Sequence, residues 1–245
     1  MYIIGLTGPS GAGKTTALRV LESMGGKVFD CDAIYHEMLR TDGELLGRIE
    51  AAFPGAVKNY TLNRKALGTR VFADAGSLEK LTAITQPIVA KRVMEEIRSS
   101  DTISAERAAG RQLPGDTGFA VCHSERGEES VPSSPIACCL LPFASFAVID
   151  AIGLFESGLG AKCDLTVAVV ADSELRVRRL MARDSISEDY ARARIAAQKP
   201  ADYYSSRADL VLENNGTAAD FSTLCRRELQ ARLSLACSCG HRCLE

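Results

Sequence analysis

Gly8-Pro9-Ser10-Gly11-Ala12-Gly13-Lys14-Thr15 satisfies G-x-x-x-x-G-K-[ST] at every specified position. Glycines at these places let the backbone fold into a nest whose N–H groups point inward at a phosphate. A helix that follows adds the positive end of its dipole. The lysine reaches the outer phosphates of a triphosphate as a compact charge, and the final hydroxyl can ligate Mg²⁺. The pattern needs context to carry that meaning. Here Tyr2 to Thr7 is a short apolar run that reads as a strand, and Lys14 to Met24 reads as a helix. The stretch is therefore read as a phosphate-binding loop. Gly8, Gly11, Ala12, Gly13, Lys14, Thr15 and Thr16 are its expected nucleotide contacts, with Thr15 as a magnesium ligand.

Outward from the loop, strands and helices alternate. Lys27 to Asp30 reads as a second strand after the Gly25-Gly26 stop, and residues 32–53 have helical spacing with a break near Asp42-Gly43. Helices are expected over about 64–72 and 77–98, strands over 146–149, 165–170 and 210–212, and a last helix over 221–233. Residues 172–198 read as one basic helical segment. This alternation predicts an α/β domain of the P-loop class, a parallel sheet flanked by helices, spanning residues 1–233. One stretch breaks the rhythm. Residues 99–144 are rich in Ser, Gly, Pro and small residues without sustained period, so they read as a disordered insertion. Within them, Cys122 to Ser130 resembles the translated product of a dispersed bacterial repeat element. The segment joins a helix to a strand, which puts it on the side opposite the phosphate loop.

Composition excludes several classes. With 29 basic and 31 acidic residues the net charge is −2, so electrostatics give no reason to expect nucleic acid or an anionic membrane as partner. No apolar run approaches the ~20 residues that cross a bilayer. The first residues have no basic region and already read as a strand, so a cytoplasmic chain is expected. Nine cysteines, an odd count without a secretion signal, read as reduced thiols. Residues 234–245 form a cysteine-rich tail, but Cys237, Cys239 and Cys243 match no paired C-x-x-C zinc spacing. They read as a flexible terminus.

Two further groups bear on chemistry. Asp30 and Asp32 follow the second strand, at the same sheet edge as the loop. Transfer of a phosphoryl group to a hydroxyl calls for a carboxylate that orients the hydroxyl and accepts its proton. Asp32 is the better placed, against the plainer reading that it only caps a helix. Arg176, Arg178, Arg179, Arg183, Arg192 and Arg194 crowd one region. Arg179 and Arg183 are the expected charge-stabilising pair on a lid. Most of the others read as a solvated face, with Glu188 and Arg192 as an i,i+4 pair.

Together these residues resemble the dephospho-coenzyme A kinase family. Ile4-Gly5-Leu6-Thr7-Gly8 through Lys14-Thr15-Thr16 is similar to that family's opening, and Val28-Phe29-Asp30-Cys31-Asp32-Ala33 to its element carrying the base. Arg64-Lys65-Ala66-Leu67-Gly68, Leu154-Phe155-Glu156-Ser157-Gly158-Leu159 and Cys163-Asp164 follow in order. So do Arg179 to Asp184, Ala196-Ala197-Gln198 and Asn214-Asn215-Gly216. The resemblance implies ATP-dependent phosphorylation of the ribose 3′-hydroxyl of dephospho-coenzyme A, with Lys14, Asp32, Arg179 and Arg183 catalytic. It implies acceptor contacts at Thr7, Asp32, Arg64 and Glu156, and a nucleotide contact at Asn215. Asp150, at a strand end, could help hold Mg²⁺ through water. The implied partners are small molecules only, and the chain a monomer or weak homo-oligomer.

Three positions depart from the family pattern: Pro9 for a glycine, Gln86-Pro87 for a His-Pro pair, and Ile152-Gly153 for Pro-Leu. The competing expectations are a kinase for another small hydroxyl compound, nucleoside- or shikimate-like, and a nucleotide-binding protein whose catalysis is impaired.

Overall fold

In the computed structural model, which describes residues 1–108 and 146–238, β1 (Ile3–Thr7) leads into α1 (Lys14–Ser23) and β2 (Lys27–Asp30). Next come α2 (Cys31–Thr41), α3 (Gly43–Ala52), a short hairpin of β3 (Val57–Lys58) and β4 (Thr61–Leu62), α4 (Arg64–Ala73) and α5 (Ala75–Ala108). The second part holds β5 (Ala147–Asp150), β6 (Leu165–Val170), α6 (Ser173–Asp184), α7 (Glu188–Ala196), α8 (Ala201–Ser205), β7 (Leu210–Glu213) and α9 (Ala218–Ser238). The main sheet is parallel throughout, in the order β2-β5-β1-β6-β7.

A parallel sheet covered on both faces should be apolar on both, and this one is. Ile4, Leu6, Val148, Val167 and Val169 point to one side, against Leu21 of α1 and Phe221, Cys225 and Leu229 of α9. Ala147 and Ile149 point to the other, against Ile34, Leu45, Ile49, Val93 and Leu154. Burying each large aliphatic side chain stabilises the fold by about 1.5–3 kcal/mol. Among the described residues, no helix is long and apolar enough to cross a membrane.

Several elements differ from the sequence expectation, among them the short helix α8, which was not expected. The β3–β4 hairpin was not expected; its turn residues Asn59 and Tyr60 both have positive φ. The basic segment 172–198 is two helices, broken where Ser185 takes a left-handed backbone (φ 53). Helix α5 carries Pro87 inside it and continues to Ala108, so residues 99–108 are helical rather than irregular. Helix α9 runs to Ser238, which makes residues 234–238 of the expected tail helical. The remainder of the expected insertion, 109–144, and of the tail, 239–245, lies outside the described residues. So do the repeat-like stretch and most of the cysteine cluster.

Where the chain leaves and re-enters the described part is nonetheless defined. Asp101 accepts from the Met1 ammonium at 3.2 Å, and the Phe146 carbonyl accepts from the Lys27 N–H at 2.8 Å. Both contacts sit beside the N-terminal ends of β1 and β2. The phosphate loop leaves the C-terminal end of β1, at the opposite edge.

Candidate active site

The loop between β1 and α1 has its carbonyls tied back. Gly8 O accepts from Lys14 Nζ at 2.8 Å, Pro9 O from Ala12 N at 3.3 Å, and Ser10 O from Arg176 Nε at 2.9 Å. Gly11 O accepts from Arg179 Nη1 at 3.4 Å, Ala12 O from Asn214 Nδ2 at 2.8 Å, and Gly13 O from Thr16 N at 3.0 Å. By contrast, the backbone N–H groups of Gly11, Gly13, Lys14 and Thr15 have no partner among the described residues. Side chains cap α2, α3, α4 and α7, but none caps α1, whose N-cap is Gly13. Acceptors that would repel an anion are occupied, and donors that would bind one are left open.

Two glycines make the geometry possible. Gly8 (φ 138) lies so close to strand β6 that a Cβ would collide with the Val169 carbonyl. At Gly13 (φ 108) a Cβ would collide with the Asn214 amide. Pro9 offers no N–H, and the loop uses its carbonyl alone, which accepts from Ala12 N.

Register brings the acids to the loop. Asp30 and Asp150 are partners across β2 and β5, and Asp150 is also paired with Leu6, one residue before Thr7. Asp30 is the cap of α2: its Oδ1 accepts from Asp32 N at 2.9 Å and Ala33 N at 3.0 Å. The capping role weighed for Asp32 thus belongs to its neighbour. The exposed Asp32 carboxylate accepts no hydrogen bond among the described residues. Burial pushes the Asp150 carboxyl above its ordinary range, Asp30 and Asp32 push the same way, and Lys14 opposes them. Burial also lowers the Lys14 ammonium, against the pull of Asp150 and Asp32.

Lys14, Thr15, Asp32, Asp150, Arg179 and Arg183 share the wall of a cleft of about 660 Å³, and Arg194 joins them. A smaller hollow of about 160 Å³ adjoins it, lined by Tyr35, Thr85, Gln86 and Ser157 among others. Asp32 and Ile152 belong to both. Arg183 is engaged side-on by Asp184, Nε to Oδ1 at 2.7 Å, and Arg194 donates to the same carboxylate at 2.6 Å. Those arginines hold Asp184 down at about 2.

The remaining expected residues are placed as follows. Thr7 is fully buried and its hydroxyl donates to Ile152 O at 3.0 Å, so it braces the loop after β5 instead of facing the cleft. Arg64 is exposed at the start of α4. Glu156 and Gln86 both approach Gly153, at 3.8 and 3.6 Å from where its Cβ would be, and Gln86 and Gly153 line the smaller hollow. Asn215 is exposed and bonds Asp172, its Oδ1 accepting from Asp172 N at 2.9 Å. The buried contact to the loop is made by its neighbour Asn214. Arg176, read among the solvated arginines, is 4% exposed and bonded to Ser10. Arg192 does pair with Glu188 and also with Glu174.

A parallel sheet, a nest of open amides opening an uncapped helix, and a carboxylate lining the same cleft define a P-loop phosphotransferase acting on a small molecule. The family model described as dephospho-CoA kinase matches residues 2–105 and 140–220. The chain belongs to the dephospho-CoA kinase family. It is 33% identical over 219 residues to the dephospho-CoA kinase of Geobacter sulfurreducens, covering 89% of this chain and 91% of that one. It is 34% identical to that of Anaeromyxobacter dehalogenans, over 88% and 85% of the two chains. A crystal structure from Thermus thermophilus superposes with a TM-score of 0.62 at 30% identity, covering 96% and 97%. The dephospho-CoA kinase from Campylobacter jejuni shares the fold, with a TM-score of 0.56 at 22% identity over 96% and 98%.

Proposed function

We propose that this chain transfers the γ-phosphoryl group of ATP to the ribose 3′-hydroxyl of dephospho-CoA, completing coenzyme A, with Asp32 as the base. The observation that carries the residue assignment is the position of Asp32 on the wall common to the phosphate cleft and the adjoining hollow. A nucleotide tail on the loop and an alcohol in the hollow would meet beside it.

ATP is held with its phosphates on the open amides of Gly11, Gly13, Lys14 and Thr15, and Lys14 exchanges the Gly8 carbonyl for a phosphate oxygen. Asp32 orients the acceptor hydroxyl and takes its proton as the oxygen–phosphorus bond forms and the bond to ADP breaks. Arg179 and Arg183 neutralise the equatorial oxygens, which requires Arg183 to turn from Asp184. The donor set fits Mg²⁺: a hydroxyl at Thr15 and a carboxylate at Asp150, both oxygen, with no group of three or more acidic, His or Cys ligands among the described residues. Such a sparse set suits an ion that keeps its waters and arrives with the phosphates. When bound, it would draw negative charge from the phosphate oxygens.

A coupled assay for ADP release with dephospho-CoA and ATP tests the reading. Asp32→Asn should lower turnover by about 10²–10⁴-fold while ATP still binds. Near-full activity in that variant would remove Asp32 from the role. Preferential phosphorylation of a nucleoside or of shikimate would reassign the acceptor, and ATP binding without transfer to any acceptor would leave only a nucleotide-binding protein.

A further inference from the structure

Ser10 is gripped by both stems of the α6–α7 hairpin. Its N–H donates to Gln198 Oε1 at 3.0 Å, and its hydroxyl accepts from Gln198 Nε2 at 2.7 Å. Its carbonyl accepts from Arg176 Nε, and Arg176 Nη2 closes the ring on Gln198 Oε1 at 3.0 Å. Arg176 belongs to the first turn of α6, and Gln198 stands just past the end of α7. The ring therefore joins the segments entering and leaving the arginine-bearing hairpin to a single loop residue, across 166 and 188 positions of sequence.

Resting on the reading of the loop as the ATP site, we infer that Gln198 is a positioning residue that holds the loop ready for phosphate and ties that state to the lid. Pro9 has no N–H, so Ser10 carries the first amide of the loop after Gly8. A loose peptide there could turn its carbonyl into the cleft, where it would repel phosphate. Gln198 prevents this by holding the N–H while Arg176 holds the carbonyl. The task needs a neutral amide, because one side chain must accept from the Ser10 N–H and donate to the Ser10 hydroxyl. Without the clasp, binding ATP would have to order the loop as well as occupy it.

The test uses the full chain, with ATP affinity from calorimetry and steady-state constants for both substrates. Gln198→Ala should weaken ATP binding and raise the KM for ATP about tenfold, the loss of one good hydrogen bond. The KM for dephospho-CoA at saturating ATP should stay within about twofold. Gln198→Glu keeps an acceptor for Ser10 N–H and Arg176, so it should bind ATP more tightly than the alanine variant. Gln198→Met fills the space without a polar atom and replaces alanine in the comparison if that variant does not fold. ATP binding by Gln198→Ala as tight as wild type would overturn the inference. So would a loss shared equally by ATP and acceptor, which is what general loosening of the fold produces. A wild-type chain that binds no ATP would overturn both this inference and the reading of the loop.

Discussion

Asp150 sits where its own charge is disfavoured. Burial and the acids Asp30 and Asp32 raise its carboxyl above the unfolded value, with Lys14 pulling down. The folded chain thus binds this proton more readily than the unfolded chain, and ionisation costs stability as pH rises through the folded value. Asp150→Asn should therefore raise Tm at pH 7, and the gain should fade as pH falls toward the ordinary carboxylate range, which melts across pH would show. Turnover should fall at the same time by about 10–100-fold, because the carboxylate shares the wall of the cleft with Lys14 and Thr15. Gly13→Ala strains a positive φ and drives a Cβ into Asn214; melts should show a loss of about 1–3 kcal/mol and calorimetry a loss of ATP binding. Lys14, Thr15 and Asp32 were legible because each lies in a short local pattern. Asn214, Gln198 and the buried role of Arg176 were not. Their partners lie 166 to 202 positions away, and a polar side chain in sequence does not announce which carbonyl it will meet.

Helix α2 begins where the carboxylate of Asp30 takes up its first free amides. Replacing that cap by alanine should cost about 1 kcal/mol of stability by denaturant melts. Since Asp32 lies in the first turn, Asp30→Ala should also slow turnover while ATP affinity holds. Long elements with clear periodicity were legible, including the break at Asp42, which both ends α2 and caps α3. The β3–β4 hairpin escaped because strands of two residues are too short to show alternation. The break between α6 and α7 escaped because its left-handed residue is Ser185, with no glycine to mark it. The prolongation of α5 escaped because Ser99 to Ala108 is polar and small, a composition that reads as irregular until the N-terminal segment and Lys27 dock against it.

The five-stranded sheet places β1 at its centre, and the parallel strands end at one sheet edge, the edge from which the phosphate loop leaves. The strand order requires β5 to come in between β2 and β1, after the chain has returned to the far edge. That return is where residues 109–144 are spliced in, so they are expected to be dispensable. Replacing them with a flexible linker of about ten residues should keep kcat/KM within about twofold and leave Tm close to that of the full chain, by the ADP-release assay and thermal melts. The same strand order has another use. Asp32 and Lys14 precede the splice, while Asp150, Arg179 and Asn214 follow it, so neither half holds a whole cleft. Cut there and produced as two polypeptides, the molecule would regain phosphotransfer only when the fragments find each other. That would make it a complementation reporter whose output is an enzymatic turnover.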